Sequence, residues 1–389
     1  MKSRVRPFVA WLGIYFLCLI IGTINIGAFG SLLKVLAFVP VGIWFFQKHS
    51  TILNTLLSLS SLFVLCCTMS CAWSIDPINS VSRTVSQVTF LTLIMSVSGY
   101  RYTTREIEYL RKCLIWSSRI TAGLVLLTGS YIEGRIFLNG LVREDPNYLC
   151  AYFLFGIAAA LIVLLEKRSF REKILSVVEL AAYLYIIIGT GSRGGLLAAI
   201  ACALVVFLFY TQRRGTDAKI MGKKFLLAIV AVFVVCIAVF FISDDVLNRF
   251  SLEDIKKTGG AGRLSLWRDA LNAFANSSLF RQLFGYGTGS ARAITMIFPF
   301  ERHNVFHNMF IESLLELGCI GFLAYTMHVV SFTILPLRRK DYYSFSIIAG
   351  MVVLSLSTSI AVFKPYWNIM LYIQCTKLES SREKNTRSD

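Results

Sequence analysis

Charge is scarce in this sequence. Of 389 residues, 16% are charged and 56% are hydrophobic, where soluble globular proteins carry about 25% charged residues. That shortfall excludes a water-soluble globule, and the mean hydropathy of +0.66 agrees. Motifs of the commoner enzyme chemistries are also missing. The chain has no Asp-x-Asp of nucleotide-sugar enzymes, no P-loop, no His-Glu-x-x-His and no Gly-x-Ser-x-Gly. Nucleotide donors and metal-assisted chemistry are therefore disfavoured. The ten cysteines form no Cys-x-x-Cys and no Cys/His cluster with metal spacing. Nearly all fall in apolar runs, where a thiol acts as a small hydrophobe, so neither disulfides nor a metal site is expected. No internal repeat or low-complexity segment is visible.

What the chain has instead is apolar runs of roughly 17–25 residues, the length that crosses a bilayer. About twelve spans are expected: 8–28, 30–46, 51–70, 78–99, 108–129, 147–165, 172–190, 194–210, 224–242, 307–335, 342–362 and a short last one near 363–376. Lys2, Arg4 and Arg6 before the first run resemble a signal peptide, but the run is long and no small-x-small site ends it, so an uncleaved span is expected. The net charge of +17 invites a nucleic-acid partner. Most of the lysines and arginines, however, lie in short connections: Lys48, Arg101 to Arg105, Lys167 to Lys173, Arg213 to Lys224, Arg338 to Lys340, and the tail from Lys377. Every second connection is basic, whereas 71–77 has no Lys or Arg and 130–146 balances them with acids. That is the positive-inside pattern, which places both termini in the cytoplasm and argues against nucleic acid.

The reading is thus an all-α polytopic membrane protein with four parts. These are an N-terminal bundle (1–242), one large extracytoplasmic loop (243–306), C-terminal spans (307–376) and a cytoplasmic tail (377–389). The loop begins acidic at Asp244 and Asp245 and passes Gly259-Gly260-Ala261-Gly262. A helix is predicted over 263–276, where Leu264, Trp267, Ala270, Leu271 and Phe274 mark one apolar face suited to the membrane surface or a cap on the bundle.

Three residues in this frame invite chemistry. Arg193 lies among glycines in Gly189-Thr190-Gly191-Ser192-Arg193-Gly194-Gly195, at the outer end of the seventh span. Glycine-rich backbone before a helix start can bind an anion; a tight turn with a snorkelling arginine explains the same residues. Arg263 opens the loop helix one turn before Trp267, as an anion ligand or a solvated arginine, while Arg268, Arg281, Arg292 and Arg302 are read as solvated. His307 begins the tenth span, and Asn308, Glu312 and Glu316 form a polar stripe at i, i+4, i+8. Acids on a membrane helix must face protein or water, and an imidazole beside them suits a general base. His303 is the competing base; His49 and His328 fall toward the cytoplasm. Arg119 and Glu179 sit at similar depth and are expected to neutralise each other as a structural pair.

The motifs in order are Ala72-Trp73-Ser74-Ile75-Asp76-Pro77, Arg143-Glu144-Asp145-Pro146-Asn147, Thr190 to Gly195, Arg263-Leu264-Ser265-Leu266-Trp267, Gly285-Tyr286-Gly287-Thr288-Gly289, and His307-Asn308 with Glu316-x-Gly318-x-x-Gly321. In this order and spacing the chain resembles the O-antigen ligase and polymerase superfamily of bacterial membrane glycosyltransferases. The resemblance implies a GT-C-like architecture in the bacterial cytoplasmic (inner) membrane with its active face outside. It implies an undecaprenyl-diphosphate-linked glycan donor and a lipid-linked glycan or lipid acceptor. The transfer would be inverting and metal-independent, with no cofactor, serving lipopolysaccharide or capsule assembly. By the same resemblance Arg193 and Arg263 are the diphosphate-binding arginines and His307 the catalytic base, while Asn147, Gly287, Asn308 and Glu316 occupy substrate-site motif positions. Polymerisation, ligation to lipid and protein glycosylation all fit, with a lean to polymerisation. The contrasting class is a transporter or flippase of lipid-linked oligosaccharide. Transporters often show inverted repeats and a mid-membrane site, whereas the candidate residues here sit at the outer edge.

Overall fold

A computed structural model describes residues 5–27, 31–46, 51–132, 134–166, 168–210, 262–298, 300 and 305–376. The expected span 224–242, Asp244, Asp245, Gly259 to Ala261, Arg302, His303, His49 and the basic tail lie outside these residues. The helices in chain order are α1 (Pro7–Leu17), α2 (Leu32–Phe46), α3 (Thr55–Ser70), α4 (Pro77–Ser98), α5 (Thr104–Thr128), α6 (Pro146–Leu149), α7 (Leu154–Leu165), α8 (Phe170–Gly189) and α9 (Arg193–Val205). They continue with α10 (Arg263–Ala275), α11 (Leu279–Phe284), α12 (Ala291–Ile297), α13 (Met309–Arg338), α14 (Tyr342–Ser355) and α15 (Lys364–Cys375). Among the described residues, three helical stretches are long and apolar enough to cross a membrane: Thr55–Trp73, Pro146–Leu165 and Met309–Arg338.

The helix starts follow from local chemistry. Thr103 with Glu106 and Ser169 with Glu172 form capping boxes for α5 and α8, each satisfying two first-turn N–H groups. Asp76 caps α4 with Pro77 in its first turn, where the missing proline N–H costs nothing. One departure from an all-α reading occurs in the connection 130–146. It folds into an antiparallel sheet of β1 (Ser130–Ile132), β2 (Arg135–Asn139) and β3 (Arg143–Glu144), with Tyr131 opposite Ile136 and Leu138 opposite Glu144. Ile136 and Leu138 alternate inward on β2, and Ile136 packs where any Gly189 side chain would stand. The strands are short and carry little periodicity, which hid them in the sequence.

The chain divides into two compact units. The first comprises Met1–Leu36, Thr103–Ser251 and Pro336–Leu354. Its core sits between α5, α7, α8 and α9, with Tyr183 stacked on Phe153 at 5.3 Å. Arg119 and Glu179 pair at 2.9 Å. The second comprises Ala37–Tyr102, Leu252–Leu335 and Ser355–Asp389. Its core is aromatic: Phe90 stacks on Trp367, and fully buried His328 lies against Phe63 and Trp367 with Ser60 Oγ 3.0 Å from its Nδ1. His328 is thus a packed core residue. In the same unit α10 buries Leu266, Ala270 and Ala273 against Tyr286, Ile294 and Phe306. Of the expected apolar face, Ala270 is buried and Phe274 packs against this cluster, while Leu264 and Leu271 point outward at 60% and 48% exposure.

Candidate functional site

In the second unit the site is built around one arginine. Arg83 lies in the second turn of α4, and its Nη1 donates to Glu312 Oε1 at 2.7 Å and Glu316 Oε2 at 2.9 Å. The two carboxylates are one turn apart on α13 and are 0% and 1% exposed. A buried carboxylate persists only when paired and hydrogen-bonded, and every oxygen here has a partner. Ser359 Oγ donates to Glu312 Oε2, and the Ala291 N–H donates to Glu316 Oε1 at 3.0 Å. Asn308 starts α13, its Oδ1 accepting from the N–H groups of Phe310 and Ile311 at 3.0 and 3.3 Å.

The backbone around these acids joins motifs that are distant in sequence. The N–H groups of Tyr286 and Gly287 donate to the carbonyls of Leu315 and Glu316 at 3.0 and 2.8 Å. These carbonyls are exposed to the turn because α13 breaks at Gly318, with φ 67° and ψ −171°. Gly285 and Gly318 make the approach possible: a side chain on Gly285 would meet the Glu316 carbonyl, and one on Gly318 the Leu283 carbonyl. Gly287, at φ 103°, faces Ser74. Ser74 Oγ lies 2.6 Å from Ser80 Oγ and 3.0 Å from Ser290 Oγ, Ser80 Oγ donates to the Thr288 carbonyl, and the Ile75 N–H donates to the Tyr286 carbonyl at 3.1 Å. The segments Ala72–Pro77, Gly285–Gly289 and Glu316–Gly321 thus form one hydrogen-bonded knot, which Arg83 joins through Glu316.

His307 immediately precedes the Asn308 cap and has φ 51°. Positive φ is uncommon for residues other than glycine, and such backbone clusters at functional sites. The preceding residue, Phe306, accepts from Trp267 Nε1 at 2.9 Å, which ties α10 to the His307 segment. Arg263 is the first residue of α10, one turn before Trp267 and half-buried. Arg281 corrects the solvated reading. Its Nη1 donates to the carbonyls of Trp73 and Gly285 at 3.0 and 3.1 Å, and its guanidinium lies 4.9 Å from the Tyr286 ring centroid. Arg268 and Arg292 are exposed, as expected.

In the first unit, Arg193 opens α9 after the turn Thr190–Ser192. Ser192 caps the helix by accepting from the Gly195 N–H at 3.1 Å, and Gly191 has φ 63°. Arg135 joins this turn to Asn147, donating from Nε to the Thr190 carbonyl at 2.7 Å and from Nη2 to Asn147 Oδ1 at 3.4 Å. Tyr152 donates to Glu144 at 2.6 Å, fixing β3 against the 3-10 turn that follows α6. Of the residues singled out in the sequence, Arg193 and Asn147 therefore share the first unit. Gly287, Asn308 and Glu316 share the knot of the second, with Arg263 and His307 beside the Trp267–Phe306 bond. Sequence reasoning missed Arg83, Arg135 and Arg281. Arg83 alone left a signal, as a charge inside the apolar run 78–99.

These features define a largely helical membrane protein in which a glycine-broken helix carries buried acids beside a histidine-headed turn. Residues 178–326 match the family model described as O-antigen ligase, and this bears out the resemblance to the O-antigen ligase and polymerase superfamily. The matched stretch contains Arg193, Arg263, Gly287, His307, Asn308 and Glu316, and stops short of Arg83 and Asn147. No curated protein matches the chain. The match supports a membrane location and a glycosyltransferase-like ligase or polymerase activity on lipid-linked glycans, at that level of detail.

Proposed function

We propose that this protein is an inverting, metal-independent membrane glycosyltransferase. It moves an undecaprenyl-diphosphate-linked glycan to an acceptor hydroxyl at the outer face of the cytoplasmic membrane, either as a polysaccharide polymerase or as an O-antigen ligase. The acceptor oxygen forms the new glycosidic bond to the anomeric carbon as that carbon's bond to phosphate breaks. Undecaprenyl diphosphate leaves, and His307 takes the hydroxyl proton. A diphosphate is already a good leaving group, so the need is for positive charge where negative charge develops. Guanidinium groups fit phosphate with paired hydrogen bonds, and Arg193 and Arg263 are assigned that task. A positioned base contributes about 10²–10⁴-fold. The reading carries with it about twelve spans, cytoplasmic termini, and the division into bundle (1–242), outer loop (243–306), C-terminal spans (307–376) and tail (377–389).

The observation that carries this reading is the placement of His307. It lies inside the matched stretch, on left-handed backbone, directly before a helix whose first turns are fixed by Arg83, Glu312 and Glu316. The backbone that carries the base is thereby anchored to a fixed helix. The test is purified protein given an undecaprenyl-diphosphate-linked glycan and an acceptor. The expected result is a change in glycan length or anchor. Movement of the lipid between leaflets with no new glycosidic bond would instead establish a transporter.

A further inference from the structure

The second unit carries a short helix whose amphipathic pattern is turned inside out. α11 reads Leu279-Phe280-Arg281-Gln282-Leu283-Phe284. At 3.6 residues per turn its four apolar residues fill a sector of roughly 140°, and Arg281 and Gln282 fall on the opposite side. A helix beside water turns its apolar sector to the core and its polar side outward. Here the polar residues serve the protein's own backbone. Arg281 Nη1 donates to the carbonyls of Trp73 and Gly285, and Gln282 Nε2 donates to those of Ala275 and Ser277 at 3.0 and 3.2 Å. The apolar residues point away from it: Leu279, Phe280, Leu283 and Phe284 are all exposed, Leu279 by 71%. None of the six residues is buried.

The depth of α11 follows from its attachment to the end of α3. The helical stretch Thr55–Trp73 is long and apolar enough to cross a membrane. Its 19 residues rise roughly 28 Å, about the thickness of bilayer hydrocarbon. Trp73 ends that stretch, at the level where aromatic rings form a belt at the membrane surface. Leu62, Leu65 and Met69 are exposed at i, i+3 and i+7 along α3, and Trp73 follows at i+11, so an apolar stripe runs up to it. α11 is fastened to this one residue in several ways. Trp73 Nε1 donates to the Phe284 carbonyl at 3.2 Å, Arg281 bonds the Trp73 carbonyl, and the rings of Phe280 and Phe284 meet the indole edge-on, with centroids 5.9 and 5.8 Å away. The apolar side of α11 thus extends the outward stripe of a membrane-crossing helix, and an exposed apolar patch so placed marks contact with lipid.

We infer that α11 lies within the bilayer, with Leu279, Phe280, Leu283 and Phe284 among the acyl chains next to the headgroups of the leaflet at the Trp73 end of α3. The charge pattern of the connections makes this the extracytoplasmic leaflet. Because α11 runs directly into Gly285–Gly289, the lipid contact sets the depth of that turn, whatever reaction the protein performs. The test puts a fluorescent side chain on the apolar face. Full-length protein carrying Leu279→Trp is reconstituted in nanodiscs of phosphatidylcholine, either plain or with bromine on the acyl chains near their carbonyl ends. The emission that the substitution adds over the unaltered protein is expected to lose most of its intensity to the brominated lipid and none to aqueous iodide. Leu283→Trp, on the same face, is expected to behave alike, and it supplies the reading if Leu279→Trp is not recovered. An added tryptophan quenched by iodide and not by bromine places α11 in water and overturns the proposal. Protection from both quenchers also overturns it, because protein from a second copy of the chain then covers the face. The readout needs no glycan substrate, so its failure is distinct from failure of the transfer reaction.

Discussion

Arg83 and Arg119 face the same physical problem in different units. Each is a guanidinium in an apolar helix, where an isolated charge costs at least roughly 2.5–3.5 kcal/mol on insertion scales. Arg119 meets it locally, with one glutamate, a tryptophan face, and side chains that stay 36% and 23% exposed. Arg83 meets two carboxylates that are essentially inaccessible, and one of these also receives an N–H from the start of α12. The first arrangement neutralises a charge. The second ties α4 to two buried acids of α13, the helix that directly follows the candidate base.

The comparison yields a graded set of expectations. Arg83→Gln leaves two carboxylates buried without a cation, and removing one partner of a buried pair costs about 3–5 kcal/mol. Monodisperse protein recovered in detergent is expected to fall steeply; normal recovery would show that the knot does not need its arginine. Gly318→Ala probes the same knot through backbone alone. It places a methyl group against the Leu283 carbonyl at a positive φ, a strain of about 1–3 kcal/mol, and is expected to lower the unfolding temperature by several degrees. Arg119→Glu and Glu179→Arg are each expected to lower expression, because either sets two like charges against each other within the spans, and to restore it together. Failure of the swap to rescue counts against a purely electrostatic pair.

The mildest expectation concerns Arg6 and Glu106 at the end of α5, before its apolar part. Burial pushes the Glu106 carboxyl up, but the hydrogen bonds from the Arg6 side chain and the Thr103 amide pull harder and hold it at about 2. A carboxyl depressed in the folded state stabilises it above the unfolded value of about 4.3 and loses that contribution as pH falls toward 2. Thermal stability of the unaltered protein is therefore expected to decline between about pH 5 and pH 2 more than that of Glu106→Gln. Parallel curves for the two would remove Glu106 from the account.

Much of this was legible from residue order. Equal depth in two spans foretold the Arg119–Glu179 contact. The stripe Asn308, Glu312, Glu316 announced that α13 needed a polar partner. That this partner is Arg83, 229 residues from Glu312, was not legible, because pairing depends on which helices are neighbours and periodicity gives only which face is polar. The same limit hid Arg135, whose role is to bond a carbonyl at Thr190, and Arg281, whose acceptors are backbone oxygens with no side-chain signature. The burial of Leu266 and Ala273 on α10 was likewise not legible, because apolar residues surround much of that helix and only the cluster of Tyr286, Ile294 and Phe306 decides which of them turn inward.

The central claim is that His307 takes the acceptor proton while arginines hold the donor. The direct measurement compares product formation and donor binding in purified His307→Ala and Arg193→Ala proteins. The expected outcome is a product rate about 10²–10⁴-fold lower in His307→Ala with donor affinity close to that of the unaltered protein, and loss of both in Arg193→Ala. Undiminished transfer by a well-folded His307→Ala protein would contradict the account.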